Sequence, residues 1–301
     1  YLCAPSNSQP HQLTRWTAQN VRFIRHMIQQ CVRLVLLYKR HSALSAQITI
    51  SPKTAPLPIP LLSCCLHSTQ INDIVSKILR PLTTQEVDHH CRRTIDHYQR
   101  FASAFRTGTA DHDVTQNIES LIKHIRGRAP FRILDLGCGP GRDLAAFIDL
   151  GHQPVGLDGC EAFVHMANQL TGCPVWHQSF DCLELPTDSF DGIFANASLF
   201  HVPSQILDRV LRQLNRCLKS DGVLFASNPR GPDIERDEDD RYATFLSLAT
   251  WQAFAQDAGF LELEHYYRPP GKPRDQQPWL ASVWRKISQI DVLNDSLTIP
   301  G

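Results

Sequence analysis

No acidic residue occurs between Tyr1 and Asn72, a stretch that carries Arg15, Arg22, Arg25, Arg33, Lys39, Arg40 and Lys53. The whole chain is formally neutral, so the remainder is net acidic. A net acidic folded part argues against nucleic acid as its main partner, because phosphate binding needs a basic face. Also missing is any apolar run approaching the ~18 residues of a membrane-spanning helix, so no membrane partner is expected. Ten cysteines are present without one C-x-x-C pair, and adjacent Cys64 and Cys65 cannot bridge without strain. Scattered cysteines of this kind point to a reducing compartment, the cytoplasm. The nearest approach to a metal cluster is His89-His90-Cys91, whose neighbours on one element point different ways; no metal is expected.

Residues 1 to about 85 stand apart: basic, rich in Ser, Gln and His, and broken by "SPKTAPLPIP". The chain opens on tyrosine and is read as beginning within a longer sequence. Three readings of this segment stay open: an organellar transit peptide, a disordered tail, or translated sequence that is not normally part of the protein. No catalytic role is expected for it. A domain over 86–290 follows, then a tail over 291–301.

From Glu86 the pattern becomes regular. Ile95, Tyr98, Phe101, Ala102 and Phe105 mark one helix, and Ile118, Leu121, Ile122 and Ile125 a second that stops at Gly127. Strands and helices then alternate: "FRILDL", "RDLAAFIDLG", "QPVGLD", "EAFVHMANQLTG", "PVWHQ", "FDGIFANAS", "SQILDRVLRQLNRCLKSDG", "GVLFASN" and "TWQAFAQDAG", the last with Thr250 as its N-cap. "FLELEHYY" and "LASVWRK" close the domain as an antiparallel pair at one sheet edge. Such alternation predicts an α/β, Rossmann-like, doubly wound sheet that is mostly parallel, with helices on both faces.

The strand "RILDL" ends on Asp135 and is followed by Gly137, Gly139 and Gly141 at alternate positions. Glycines there let the backbone turn sharply and let a ligand lie against bare peptide groups, beside the free N–H groups of the next helix. A dinucleotide loop has G-x-G-x-x-G spacing; here the third glycine comes one residue early and Arg142 takes its place. Asp158 closes the second strand where an acid reaches a ribose hydroxyl, and with Glu161 it also spells a capping box.

"ILDLGCGPGRD" resembles motif I of the class I S-adenosylmethionine-dependent methyltransferases. "VGLD", "FDCLELPTDSFDGIFAN", "LKSDGVLF" and "AGF" resemble later segments of that family in order, over about residues 95 to 287. The resemblance implies a seven-stranded sheet whose last strand is antiparallel and inserted beside the sixth. It implies S-adenosyl-L-methionine as cofactor. Asp135, Gly137, Cys138, Gly139 and Gly141 would line its methionine part, Asp158 its ribose, and Phe180 with Asp181 its adenine. The Ser220-Asp221-Gly222 entry to the fifth strand departs from the family's usual Pro-Gly-Gly.

A sulfonium methyl is already activated, so the enzyme must align donor and acceptor and exclude water; a base is needed only if the acceptor must lose a proton. Candidates come from loops after strands four, five and six and from the first helix. Asn196, Ser198 and His201 follow strand four, with Asn196 expected as a cofactor contact and His201 as a base, an acceptor contact or a packed histidine. After strand five, Arg230, with Arg241 and Tyr242, could clamp an acidic group of the acceptor, or simply form a polar turn. The acidic "DEDD" run reads as a solvated loop. His265, Tyr266, Tyr267 and Arg268 follow strand six, and only one tyrosine can face the site. Tyr98, Phe101 and Phe105 would sit on a lid helix, with Thr109, His112 and Asp113 behind it. No N-P-P-[YF] segment follows strand four, which disfavours amide methylation. The leading expectation is methyl transfer to a small-molecule acceptor. The alternatives are an NAD(P)-dependent oxidoreductase and a non-catalytic cofactor-binding module.

Overall fold

The structure is a computed structural model and describes residues 82–287. The basic extension expected over 1–85 lies almost wholly outside the described residues, as do Cys64, Cys65 and the tail over 291–301. Helix α1, Thr84–Thr109, opens on a reciprocal cap: Thr83 Oγ1 accepts from the Glu86 amide, and Glu86 accepts from the Thr83 amide at 2.8 Å. The helix is kinked at Phe101, whose φ is −111° and ψ 15°. Helix α2, Thr115–Ile122, buries Asn117, Ile118 and Leu121.

Strands β1 (Arg132–Leu136), β2 (Gln153–Asp158), β3 (Val175–His177), β4 (Phe190–Asn196) and β5 (Leu218–Pro229) are parallel neighbours. Helices α3 (Arg142–Asp149), α4 (Glu161–Thr171) and α5 (Ser204–Cys217) connect them. β6 (Ile234–Glu238) and β7 (Arg241–Phe245) form a separate hairpin; then come α6 (Leu248–Asp257), β8 (Phe260–Arg268) and β9 (Trp279–Lys286). The seven-stranded sheet runs β3-β2-β1-β4-β5-β9-β8, with β9 antiparallel to both neighbours. The antiparallel strand is thus inserted beside the sixth, as the resemblance implied.

Alternate residues on each central strand go to opposite faces, and the two cores divide accordingly. Leu134, Ile193, Leu224 and Trp284 pack in one core with Leu207, Val210, Leu211 and Leu214 of α5 and Trp251 of α6. Ile133, Phe194, Phe225 and Val283 pack in the other with Ile118 and Leu121 of α2 and Phe147 of α3.

Two local expectations are corrected, and a third is narrowed. α5 ends at Cys217 and Leu218 already pairs with Phe190, so the helix expected to run through Gly222 is shorter. Ser247, not Thr250, caps α6: its hydroxyl accepts from the Thr250 amide at 3.3 Å. The "DEDD" run is the turn of the β6–β7 hairpin. Asp239 and Asp240 both take positive φ, 49° and 62°, with Glu238 paired to Arg241 across them.

Candidate ligand-binding site at the strand ends

A cavity of about 500 Å³ opens at the carboxyl ends of β1, β2, β4 and β5, under α1. Gly137, Cys138, Gly139 and Asp158 line one side, with Ser179 and Phe180 beside them. Gly137 has φ 76°, and a Cβ there would stand 2.5 Å from the Ser198 Cβ, so a bare peptide is required where the β1 loop passes the β4 loop. The Gly139 amide donates to Asp158 Oδ2 at 2.9 Å, and the Cys160 amide to Asp158 Oδ1 at 2.8 Å. Each carboxylate oxygen therefore holds one backbone N–H and keeps acceptor capacity toward the cavity. Burial pushes the Asp158 carboxyl up to about 6, against those two amides. Helix α4 has Cys160 as its N-cap and no side-chain cap, so Asp158 and Glu161 do not form the capping box they spell.

Asn196 lines the cavity in a polar chain with Asn117, Arg142 and Asp143, which line it too. It donates to Asp143 Oδ2 at 3.2 Å and accepts from Asn117 at 2.9 Å; Asn117 in turn accepts from the Tyr266 hydroxyl at 2.9 Å. Asp143 is held by Arg142 at 2.6 Å and 3.1 Å, and Arg142 also reaches Thr109 O at 2.7 Å. Asn117 was missed in the sequence, although a polar residue four before Leu121 on an apolar helical stripe was a readable signal.

Three residues expected at the cofactor have other places. Asp135 is buried behind the loop rather than on the cavity wall; burial, with Asp143 nearby, holds its carboxyl well above the usual range. Gly141 is the left-handed residue before α3, with φ 95°, and a Cβ there would stand 2.8 Å from the Ala167 Cα. It lets α3 and α4 approach each other, and does not line the cavity. Asp181 is likewise off the wall: its carboxylate accepts from the Ser179 hydroxyl and its carbonyl from Arg209 at 2.9 Å.

His201 lines the cavity, half-buried. Its Nδ1 lies 2.7 Å from Tyr242 O and its Nε2 2.8 Å from the Tyr98 hydroxyl. A carbonyl only accepts, so Nδ1 carries the proton and the Nε2 lone pair accepts from Tyr98. Burial pulls this imidazole down to about 4, so the ring is neutral near pH 7. Arg230 is not on the wall. Its Nε donates to Gln277 O at 2.8 Å and Nη2 to Arg274 O, which ties β5 to the loop before β9. The expected clamp is therefore a structural brace. Tyr242 faces the hairpin, donating to Glu235. Tyr266 supports the polar chain and Tyr267 stacks on Arg274; neither lines the cavity. Arg268, Trp279, His112 and Asp113 do line it, the last two exposed to solvent.

On α1, Tyr98 and Phe105 face the cavity, while Phe101 is 50% exposed. The hairpin holds this helix from outside. Arg93 pairs with Asp237 at 2.9 Å and Asp240 at 2.7 Å, and the Tyr242 amide donates to Thr94 Oγ1 at 2.9 Å. Cys91 lies on the wall and His90 is 3.3 Å from Asp237. Among the described residues, no group of three or more His, Cys, Asp and Glu side chains could hold a metal, and no helix is long and apolar enough to cross a membrane.

Residues 134–226 match the family model described as "Methyltransferase domain". A trans-aconitate 2-methyltransferase of an Acidovorax species is 32% identical over 178 residues, 56% of this chain and 64% of its own length. A malonyl-[acyl-carrier protein] O-methyltransferase of Legionella pneumophila is 37% identical over 141 residues, 43% of this chain and 44% of its own. The chain thus spans less than two thirds of each of these two curated relatives. A TehB-like S-adenosylmethionine-dependent methyltransferase of Corynebacterium glutamicum has the same fold, with a TM-score of 0.51 at 19% identity over 64% of this chain and 98% of its own.

Proposed function

We propose methyl transfer from S-adenosylmethionine to a small-molecule acceptor as the activity of this chain, which belongs to the class I S-adenosylmethionine-dependent methyltransferases. The observation that carries the reading is Asp158. Its oxygens are each fixed by one backbone amide, on a cavity wall beside Gly139. A carboxylate so held is oriented to accept from a sugar diol. Gly137, Cys138 and Gly139 would hold the amino-acid end of the donor, and Phe180 with Ser179 would border its base. Bound there, the donor supplies an activated methyl. The chain's part is to orient an acceptor against it and to exclude water, which Tyr98 and Phe105 of α1 do from above.

The relatives named above act on trans-aconitate and on malonyl-[acyl-carrier protein]. That supports a small or small-armed acceptor entering between Arg268, Trp279 and the β4 loop. A cytoplasmic location belongs to the same proposal, supported by the described cysteines, which are all free. Thermal denaturation with S-adenosylhomocysteine and with NADH tests the cofactor: only the former should stabilise. Labelled S-adenosylmethionine with a metabolite extract tests turnover. Bound donor without labelled product would leave a non-catalytic module, and stabilisation by NADH alone an oxidoreductase.

A further inference from the structure

We propose that the acceptor is an ionised carboxylic acid, gripped by the guanidinium of Arg268 and methylated on oxygen without a protein base; this rests on the methyl-transfer reading above. A nucleophile accepts a methyl through a free electron pair. A hydroxyl or ammonium acceptor has to lose a proton before or during attack, to a base with an open lone pair or to water. A carboxylate already has its pair at neutral pH. One of its oxygens forms the new O–CH3 bond, the old C–S pair remains on sulfur, and no proton has to leave.

The titratable groups around the cavity are largely committed elsewhere. The His201 lone pair is closed by the Tyr98 hydroxyl at 2.8 Å, and its other nitrogen by Tyr242 O at 2.7 Å. Asp143 is bridged by Arg142 and Asn196. Asp158 holds two amides on the donor side. Asp113 accepts from the Thr115 amide at 2.9 Å, and that bond, ahead of the nearby Arg268 charge, holds its carboxyl below the usual range. Burial pushes the Cys91 thiol up to about 12 and raises those of Cys138 and Cys160, so none is a ready thiolate. His112 remains, exposed to solvent beside Asp113.

The two arginines on the wall differ in the same way. Arg142 uses Nε, Nη1 and Nη2 on Asp143 and Thr109 O. Arg268 donates only from Nη2, to Asp113 O at 2.9 Å. That one bond tethers the guanidinium and leaves further N–H groups for an entering acid. A planar fork of this kind suits a carboxylate.

The test uses the full chain. Labelled S-adenosylmethionine and a metabolite extract should give label that mild alkali releases as methanol, as a methyl ester does. In parallel, succinate, benzoate and their amides are titrated into the protein saturated with S-adenosylhomocysteine. The proposal expects at least one acid to bind while its amide does not. It expects Arg268→Gln to weaken that acid about tenfold or more, the loss of a charge-assisted pair, with S-adenosylhomocysteine affinity held within about twofold. Arg268→Lys should recover part of the loss. The rate should stay level from about pH 6.5 to 9, where a carboxylate is fully ionised. Alkali-stable product, no product, no acid binding, equal binding by Arg268→Gln, or a rising pH limb abolished in His112→Ala would each overturn it. Failure to bind S-adenosylhomocysteine at all would instead remove the donor reading on which it stands.

Discussion

Gly141→Ala separates a packing glycine from a cavity glycine. The backbone at Gly141 has φ 95°, and a non-glycine residue in the left-handed region costs ~1–2 kcal/mol. The new Cβ would meet the Ala167 Cα at 2.8 Å and the Ala167 Cβ at 3.0 Å, so α3 and α4 must part. Overpacking of that kind costs a further ~1–3 kcal/mol. The sum, about 2–5 kcal/mol, is a large share of the ~5–15 kcal/mol of a typical domain. Urea denaturation should show the midpoint falling with an unchanged slope. Adding Ala167→Gly removes the contact at 3.0 Å but not the one at 2.8 Å, so it should restore less than half of the loss. A Gly141→Ala protein within about 0.5 kcal/mol of wild type, the range of an ordinary surface change, would refute the packing assignment.

Other outcomes follow from the same geometry. Asp158 titrates near 6 when folded, above an ordinary aspartate, so it disfavours the fold above that pH and this penalty fades as the pH falls toward about 4. Donor binding should move the other way: S-adenosylhomocysteine affinity, followed by calorimetry, should weaken as pH drops through about 6 and the carboxylate is lost. His201 is the opposite case, with a folded value of about 4 below the usual histidine. Its contribution is fully present above about pH 6.5 and is lost toward pH 4, to a total of about 3 kcal/mol. Wild type should therefore lose stability more steeply than His201→Gln across that window; parallel curves would contradict the neutral, Tyr98-bonded ring. Arg93→Ala should leave the urea midpoint close to that of wild type, because its pairs with Asp237 and Asp240 are partly exposed.

Much of the fold was legible because two periods dominate its core. Strand residues such as Leu134 and Ile193 alternate between faces, and Val210, Leu211 and Leu214 recur at helical spacing. The glycine loop was legible because few residue types tolerate positive φ, and Asp158 because it closes an apolar strand. The hairpin was not, because β6 reads "IERDE" and its outer strand residues have no apolar alternation. Its signal was the Asp239-Asp240 pair, two residues that accept the left-handed region in a two-residue turn. Residue roles were the least legible. Sequence places Gly141, Asp135, Asp181 and Arg230 near the rim, but whether each faces the cavity depends on α4, Asp143, Ser179 and the loop before β9, all distant in the chain or unreadable by spacing. His201 lines the cavity, yet its closure by Tyr98 depends on a residue more than a hundred positions earlier, on a helix whose docking no local pattern specifies.

The central claim is that the wall formed by the β1 loop and Asp158 holds the methyl donor. Calorimetric titration of S-adenosylhomocysteine into wild type and into Asp158→Asn, with circular dichroism to confirm that both are folded, tests it most directly. Wild type should bind at a single site, and the variant should bind about ten- to a hundredfold more weakly, as expected for losing hydrogen bonds to a charged acceptor. Equal affinity in two folded proteins, or no binding by either, would contradict the account.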